Sequence, residues 1–450
     1  MHWTATYSRH FHMNSSYPQT GPPIARIDRP ETIVADLSLR QLRTVRSIDR
    51  HGSLSAAAKA LNRTQPAVSK ALCALERQLG TRLFDRFAHG VEPTVHGRLL
   101  MKRIAEAEAQ FGLAARAHRV ALRRAPRAQH NAVFTMEISQ KRLTAFLAVH
   151  EAGDVRQAAD TERVTPAAIY DSLRTLEGLL ELPLFEPGAA GLRSTAFADE
   201  LATCVRLALS LIQHGLDEIR SLDGAIRGRL AIGTLPYSRT VIVPRAIHEL
   251  LRKYPDIAIR TREGPYDVLE NALRSGSLDL ITGATRRFDA DSALRTEDLF
   301  EDELAVICGA NHPLASRQRV TVKEILDYDW ILPSKATPAR RLFDRFLARR
   351  KVSAPAHVVE TSSLSTTRGL LLESDRLALL STHQVQLDES AGLLVTLPIR
   401  LEETFRPIGV TTRANSTPSP AASAFIDALR RQTRMAEARR NGTPAGKHWP

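Results

Sequence analysis

The first third of the chain carries apolar residues at helical spacing. Four of them recur at three-residue steps: Leu39, Leu42, Val45 and Ile48. Gly52 follows, and glycine readily adopts the left-handed backbone that ends a helix. Ser53 is a natural cap for a second helix, and Thr64 for a third that tolerates Pro66 in its first turn. Two helices joined by so short a turn predict a helix-turn-helix unit, followed by a two-stranded wing and a long helix.

The same pattern returns at an offset of 101 residues without a gap. The matched positions are mostly apolar or small, and they include Leu42 with Leu143, Gly52 with Gly153, Ala57 with Ala158, Leu72 with Leu173, and Leu83 with Leu184. Such a match indicates a shared core rather than a shared surface. We therefore predict the same small domain twice, at 37–124 (the first repeat) and at 138–226 (the second repeat). Residues 125–137, around Pro126, are predicted to form a flexible basic connector.

The hydrophobic pattern changes at Arg229, where short apolar segments typical of strands begin to alternate with helical segments. This rhythm predicts an α/β domain over 228–434 with mostly parallel sheets, in which ligands bind at the carboxyl ends of the strands. Residues 1–36 and 435–450 are predicted to be disordered at the two ends of the chain.

Composition narrows the class of partner. The 450 residues include 62 Lys and Arg against 49 Asp and Glu, a net charge of +13 that favours nucleic acid first and acidic lipid second. The three cysteines are too far apart for a zinc site or a disulfide framework, and they fit a reducing compartment. The sequence has no apolar run long enough to span a bilayer and no secretory signal pattern, so a cytoplasmic location is expected. Neither a metal site nor a cofactor is expected.

Short motifs connect these elements to a known family. Segments 52–57, 64–70, 83–86 and 94–97 strongly resemble the N-terminal winged helix of LysR-type transcriptional regulators. Segments 228–230, 254–256, 273–280 and 312–315 resemble the two-lobed effector domain of the same family. The resemblance implies two tandem, largely α-helical winged helix-turn-helix domains with long linker helices, then a two-lobed α/β effector domain similar to periplasmic binding proteins. One winged helix per chain is the family norm, so the second repeat is a departure.

The resemblance also implies a function. It indicates a sequence-specific transcription regulator that binds double-stranded promoter or operator DNA and is controlled by a small-molecule effector in the C-terminal cleft. A homo-oligomer is expected, and RNA polymerase is a candidate protein partner. The alternative is a small-molecule binding protein without regulatory DNA binding. An enzyme is not expected, because the sequence has no phosphate loop, dinucleotide turn, nucleophile elbow or metal-spaced His/Cys set.

Charge distinguishes the two repeats. Residues 40–86 contain ten Lys or Arg against three acids, whereas residues 141–187 contain five against eight. DNA affinity depends largely on neutralising phosphates and releasing counterions. We therefore expect the first repeat to bind DNA and the second not to.

The DNA-binding candidates of the first repeat lie in the turn, at the start of the third helix and in the wing. They are Arg63, Thr64, Gln65, Pro66, Val68, Ser69, Lys70, Arg86 and His89. The Gln65 amide can pair with an adenine edge, while Ser69 and Lys70 suit base or phosphate contacts. Val68 has two open interpretations, contact with a thymine methyl or packing in the core. The wing offers few cations, and Glu92 opposes them.

The effector candidates follow the ends of predicted strands. They are Thr234, Ser238, Arg239, Thr285, Arg286, Ser334, Thr361, Ser362 and Ser363. Hydroxyls, a helix N-terminus and guanidinium groups together suit a carboxylate or phosphate. Segments 233–239 and 263–266 resemble the branch of the family that includes sugar- and aromatic-acid-responsive members, which implies an organic acid or a sugar as the effector. The alternatives are helix caps for the hydroxyls and plain surface charges for the arginines. The chain is expected to cross between lobes near 286–292 and near 391–402.

The long helices carry apolar seams over 104–121 and 205–226. We predict that these helices pack on each other within one chain, so that the second repeat replaces a partner subunit. The alternative is that each helix pairs with its equivalent in a second chain.

Overall fold

The computed structural model describes most of the chain. The described residues are 38–87, 90–122, 131–188, 191–222, 224–238, 240–289, 291–414 and 416–440. The predicted N-terminal extension, residues 125–130 of the predicted connector and residues 441–450 of the predicted tail lie outside them.

The first repeat begins with three short helices. Their bounds are α1 Leu39–His51, α2 Leu54–Ala60 and α3 Gln65–Leu79. A hairpin and a long helix follow as β1 Phe84–Phe87, β2 Gly90–Pro93 and α4 Val95–Leu122. Gly52 follows α1 with a φ of 66°, and Ser53 Oγ accepts a hydrogen bond from Ala56 N (3.2 Å) at the start of α2. These local signals set the elements where the sequence pattern predicts them.

The second repeat has the same elements in the same order. They are α5 Gln140–Ala152, α6 Val155–Glu162, α7 Pro166–Leu180, β3 Phe185–Gly188, β4 Gly191–Ser194 and α8 Ala196–Ser221. Each begins 101 residues after its counterpart. Buried side chains of both repeats merge into one continuous hydrophobic core.

The connector is not flexible where the structure describes it. Val133 and Met136 are fully buried in the shared core, and Asn131 Nδ2 donates to Leu179 O (2.6 Å). Glu137 forms an ion pair with Arg43 of α1. Our prediction of a flexible connector is therefore wrong for 131–137, because the apolar side chains after the helix-breaking residues pack between the two repeats.

The two long helices pack against each other within one chain, as predicted. Cys204 of α8 lies beside the Ala114 carbonyl of α4, and Gly215 lies beside the side chain of Arg103. The later residue on α8, Gly215, thus lies beside the earlier residue on α4, Arg103, so the two helices run antiparallel. Their contact is lined by buried residues: Ile104, Ala107, Phe111, Ala114, Val205, Leu209, Ile212 and Leu216.

The C-terminal domain contains two five-stranded sheets, ordered β6-β5-β7-β14-β8 in the first lobe and β11-β10-β12-β9-β13 in the second. The strands are β5 Gly228–Thr234, β6 Ile257–Glu263, β7 Leu280–Ala284, β8 Leu294–Asp302, β9 Leu304–Gly309, β10 Trp330–Leu332, β11 Val358–Glu360, β12 Leu377–Ser381, β13 Leu394–Thr396 and β14 Arg406–Arg413. The helices are α9 Ile242–Lys253, α10 Tyr266–Arg274, α11 Val322–Leu326, α12 Pro338–Arg349, α13 Leu364–Glu373, α14 Thr382–Ser390 and α15 Pro420–Arg440. Strands β5, β6 and β7 are parallel, as are β10, β11 and β12.

Three predictions about this domain need correction. The sheets are mixed rather than mostly parallel, because β14 pairs antiparallel with β7 and β8, and β9 pairs antiparallel with β12 and β13. The chain first crosses between lobes at Glu303, between β8 and β9, and not near 286–292, because the charged strand β8 still pairs with β14 in the first sheet. The second crossing lies between β13 and β14. Helix α15 continues to Arg440, so residues 435–440 are helical rather than disordered.

Candidate nucleic-acid interface and ligand cleft

The start of α3 forms an exposed polar surface in the first repeat. Arg63, Thr64, Gln65 and Pro66 are all exposed there, as is Lys70 one turn further on. Ser69 is half-buried beside them. The N-terminus of a helix attracts phosphate through its free N–H groups and its dipole, so this surface combines a phosphate site with side chains able to reach base edges.

Val68 does not belong to that surface. Its side chain is 0% exposed and packs in the core of the first repeat. The interpretation as a thymine contact is therefore wrong, and core packing is correct.

The wing is tied to the helices through its glycine. Val91 N donates to Gly52 O (2.9 Å), and a Cβ on Gly90 would lie 2.4 Å from that same oxygen. Only glycine fits this close approach. Arg86 is exposed on β1, whereas His89 lies outside the described residues. One cation of the wing can thus be placed on the surface.

Several cations of the first repeat are already paired inside the protein. Arg43 pairs with Glu137, while Arg46 and Arg50 both pair with Glu108 of α4. The cations that remain exposed around α2, α3 and the wing are Lys59, Arg63, Lys70, Arg77, Arg82 and Arg86. The positive surface is therefore narrower than the charge count suggests, and it centres on α3.

The corresponding surface of the second repeat has a different chemistry. Pro166 and Ala167 begin α7, followed by exposed Tyr170 (59% exposed) and Asp171. Val164 is also exposed in the preceding turn. This surface has neither the amide of Gln65 nor the ammonium group of Lys70 at the matching positions.

In the first lobe, two effector candidates lie at the carboxyl edge of the sheet but are buried. Thr234 ends β5, and Ser238 lies in the 3-10 turn that follows. Ser238 Oγ is 3.1 Å from Leu235 O and 3.0 Å from Thr282 Oγ1. Its hydrogen bonds thus tie the turn to β7. Arg239 lies outside the described residues.

Thr285 and Arg286 follow β7 at the same edge. Thr285 Oγ1 donates to Asp298 Oδ1 (2.6 Å), and the Arg286 guanidinium lies 3.5 Å from the centre of the Tyr266 ring. Burial, opposed in part by Arg286, raises the pKa of Tyr266. The cation–π contact holds an exposed guanidinium at the edge of the sheet.

The second-lobe candidates lie after β10 and β11. Ser334 follows β10, and exposed Ser362 follows β11. Thr361 Oγ1 accepts from Ser363 N (3.1 Å), and Ser363 Oγ accepts from Thr366 N (3.2 Å) at the start of α13. The helix-cap interpretation is therefore correct for Ser363.

Sequence reasoning missed the polar contacts between the lobes. Gln384 Nε2 of α14 donates to Pro236 O of the first lobe (3.4 Å), so the carboxyl edges of the two sheets face each other. At the crossing, Asp302 pairs with Arg406 (2.7 Å) and accepts from Ser381 Oγ, and all three are buried. No sequence motif marks these residues, because each finds its partner across the fold.

Within the described part of the chain, no cluster of three or more His, Cys, Asp or Glu side chains could hold a metal ion. No helix described there is long and apolar enough to cross a membrane.

Comparisons with known proteins agree for both halves of the chain. The family model "Bacterial regulatory helix-turn-helix protein, lysR family" matches residues 39–98 and again 140–199, and the model "LysR substrate binding domain" matches 223–434. The HTH-type transcriptional regulator GalR of Pseudomonas putida is 32% identical over 397 residues, covering 87% of this chain and 96% of that protein.

Other similar proteins are shorter. The HTH-type transcriptional regulator PcaQ of Agrobacterium fabrum is 25% identical over 293 residues, covering 65% of this chain and 94% of that protein. A solved structure of full-length OxyR from Pseudomonas aeruginosa has 22% identity and a TM-score of 0.50, and it covers 66% of this chain and 95% of that one. The likeness to that structure supports the fold, an N-terminal helix-turn-helix with a two-lobed C-terminal domain.

Proposed function

From the premise that this chain belongs to the LysR family of transcriptional regulators, we propose that its first repeat reads operator DNA and that its second repeat does not. A binding protein without a role on DNA, the alternative left open by the sequence, does not account for two matches to a regulatory helix-turn-helix family.

The observation that carries this proposal is the contrast between the starts of α3 and α7. Gln65 and Lys70 are exposed at the start of α3, where an amide and an ammonium group can reach a base edge and a phosphate. The matching positions hold Pro166 and Asp171, which offer no amide and a repelling charge. Other exposed cations lie on α2, on α3, in the adjoining turns and in the wing: Lys59, Arg63, Arg77, Arg82 and Arg86.

The second repeat is proposed to be the packing partner of the first, in place of a second subunit. The antiparallel pairing of α4 with α8 and the shared core support this assignment. A tandem duplication within one chain would then supply both halves of the helix pair. Association into homo-oligomers would use other surfaces, and RNA polymerase is the proposed target of the regulation.

The effector is proposed to bind between the two lobes. Arg286, held over Tyr266 at the carboxyl edge of the first sheet, gives the cleft a guanidinium that suits an organic acid or another anionic ligand. Thr285, Ser334, Thr361 and Ser362 would add hydroxyls from both edges.

DNA selected from a random pool by the wild-type chain provides the test. Gln65→Ala should relax base preference at one position of the selected site, at a cost of about 1–3 kcal/mol there. Lys70→Ala should weaken all sequences alike and reduce the salt slope by about one unit. Tyr170→Ala and Asp171→Ala, at the matching face of the second repeat, are the controls and should leave both quantities unchanged.

Fluorescence anisotropy over a range of salt concentrations measures both effects. Larger losses from the two controls than from Gln65→Ala and Lys70→Ala would overturn the assignment of the repeats. Failure to select any DNA sequence would overturn sequence-specific binding itself.

A further inference from the structure

A buried arginine joins three parts of the molecule. Arg103, on α4 of the first repeat, has a fully buried side chain. Its Nε donates to Glu218 Oε1 of α8 (3.1 Å), its Nη1 to Glu106 Oε2 (3.0 Å) and its Nη2 to Thr417 O (3.1 Å). Thr417 precedes α15 of the C-terminal domain. One guanidinium therefore contacts the first repeat, the second repeat and the C-terminal domain together.

This contact shortens the path between the first repeat and the C-terminal domain. Along the backbone the two are separated by the whole second repeat, since β5 follows α8. Across the fold, Lys102 Nζ adds a second contact, to Thr417 Oγ1 (3.4 Å). A change in the C-terminal domain can thus reach the first repeat through α4 directly.

The opposite end of the helix pair shows that packing alone does not require an arginine. Because the repeats are offset by 101 residues, the counterpart of Arg103 is Cys204, and that of Glu218 is Ala117. Burial, the largest cause, raises the pKa of Cys204 to about 11, so this position holds a neutral thiol. The same helix geometry is thus filled by small uncharged groups at the end away from Thr417.

The end that holds Arg103 is also shaped to receive it. A Cβ on Gly215 would lie 3.0 Å from Arg103 Cβ and 3.1 Å from its Cγ, whereas the counterpart of Gly215 is Ala114. Burying a guanidinium is costly unless its donors are satisfied. At this end Gly215 leaves room for the arginine side chain, and Glu106 and Glu218 accept hydrogen bonds from its guanidinium.

A second contact, on α8 close to Arg103, joins that helix to the first lobe. We call this region, where α4 and α8 meet the C-terminal domain, the junction. His214 of α8 lies with Nε2 3.1 Å from Asp279 Oδ1, and Asp279 Oδ2 accepts from Ala231 N of β5 (2.8 Å). Despite burial, the largest opposing cause, the hydrogen bond and charge of His214 help to lower the pKa of Asp279. Ala231 lies three residues before Thr234, so about 10 Å of strand connects the junction with the cleft edge.

We propose that Arg103 is the positioning residue through which the C-terminal domain sets the orientation of the DNA-reading repeat. This inference rests on the proposed function. A shift of the segment around Thr417 breaks or restores one of the bonds to the guanidinium, and α4 moves relative to α8 accordingly. Coupling between two binding sites is reciprocal, so DNA held by the first repeat alters the C-terminal domain through the same contact.

The reciprocal effect allows a test without a known effector. The full-length chain is studied by hydrogen exchange with and without the DNA duplex selected by the wild type. In the wild type, DNA should change the exchange rates of amides in 228–234 and 416–419 by about fivefold or more. Arg103→Met should still bind the duplex and should lose this remote change. Cys204→Ala, at the counterpart position, is the matched control and should keep it.

Glu218→Gln is a second variant that preserves side-chain shape, and it carries the test if Arg103→Met does not fold. An unchanged remote effect in Glu218→Gln or in a folded Arg103→Met would overturn the proposal, as would the absence of any remote effect in the wild type. A failure of DNA selection is a different result, because it concerns the proposed function and precedes this experiment.

Discussion

Replacement of Asp217 by asparagine should remove a loss of folding stability that occurs as the pH rises. Asp217 lies on α8, near the C-terminal domain. Asp217 is 2% exposed, and its Oδ1 accepts from Gln213 Nε2 (2.9 Å). Burial, the largest cause, raises its pKa from 3.8 to about 6, with nearby Asp279 acting in the same direction; His214, Gln213 and Arg220 oppose the rise. The folded chain therefore holds a proton on this carboxyl group more strongly than the unfolded chain does.

The size and sign of the effect follow from that pKa. The rise of this pKa from 3.8 to about 6 corresponds to about 3 kcal/mol of free energy of unfolding. A raised pKa stabilises the fold below the unfolded value, and this stabilisation is lost as the pH rises through about 6. The asparagine side chain of the variant is uncharged at every pH and keeps the oxygen acceptor for Gln213. Because the unfolded carboxyl is already about half ionised at pH 4, the free energy of unfolding of Asp217→Asn relative to wild type should be higher at pH 7 than at pH 4 by about 2.5 kcal/mol.

Urea denaturation of both proteins between these pH values, followed by circular dichroism, measures the difference in free energy of unfolding. Asp171→Asn, on the exposed face of α7, controls for loss of a carboxylate and should change stability by less than about 0.5 kcal/mol. A difference between wild type and Asp217→Asn that stays constant with pH would refute the reasoning.

Three further changes examine other parts of the structure. Ala114→Cys should form a disulfide with Cys204 within monomers, seen on non-reducing gels; crosslinks confined to dimers would contradict intrachain pairing. Val68→Ala should cost about 2 kcal/mol of stability in urea denaturation, because it removes two buried carbons, while the selected DNA sequence stays the same. Arg286→Ala should abolish the thermal stabilisation produced by any organic acid that stabilises wild type; an unchanged shift would place the anion elsewhere.

The parts of the fold that the sequence predicts are those with local causes. Gly52 and Ser53 end one helix and cap the next through bonds to immediate neighbours, and the matching pair in the second repeat does the same. Strand β8 has no such local cause. Its charged sequence is a strand because it pairs with β14, more than a hundred residues later, and the lobe crossing was misplaced for that reason.

The candidate site residues likewise divide into those that local sequence predicts and those that depend on tertiary contacts. The exposed side chains at the start of α3 could be predicted because a helix has a regular phase, whereas the first-turn position of Val68 left two interpretations open. Partners such as Glu137 for Arg43 and Glu108 for Arg50 depend on tertiary contacts. The charge count therefore gives the two repeats opposite net charge, but it does not say which cations remain exposed.

The asymmetry between Arg103 and Cys204 follows from joining both repeats in one chain. In a pair of identical subunits each contact occurs twice, so both ends of an antiparallel helix pair carry the same residues. Here a single C-terminal domain contacts one end through Thr417, and only that end needs charged groups. An arginine buried at the other end would lack Glu218 and Thr417 as partners and would cost stability. Covalent linkage lets the two positions differ, as the proposed division between a DNA-reading repeat and a packing partner requires.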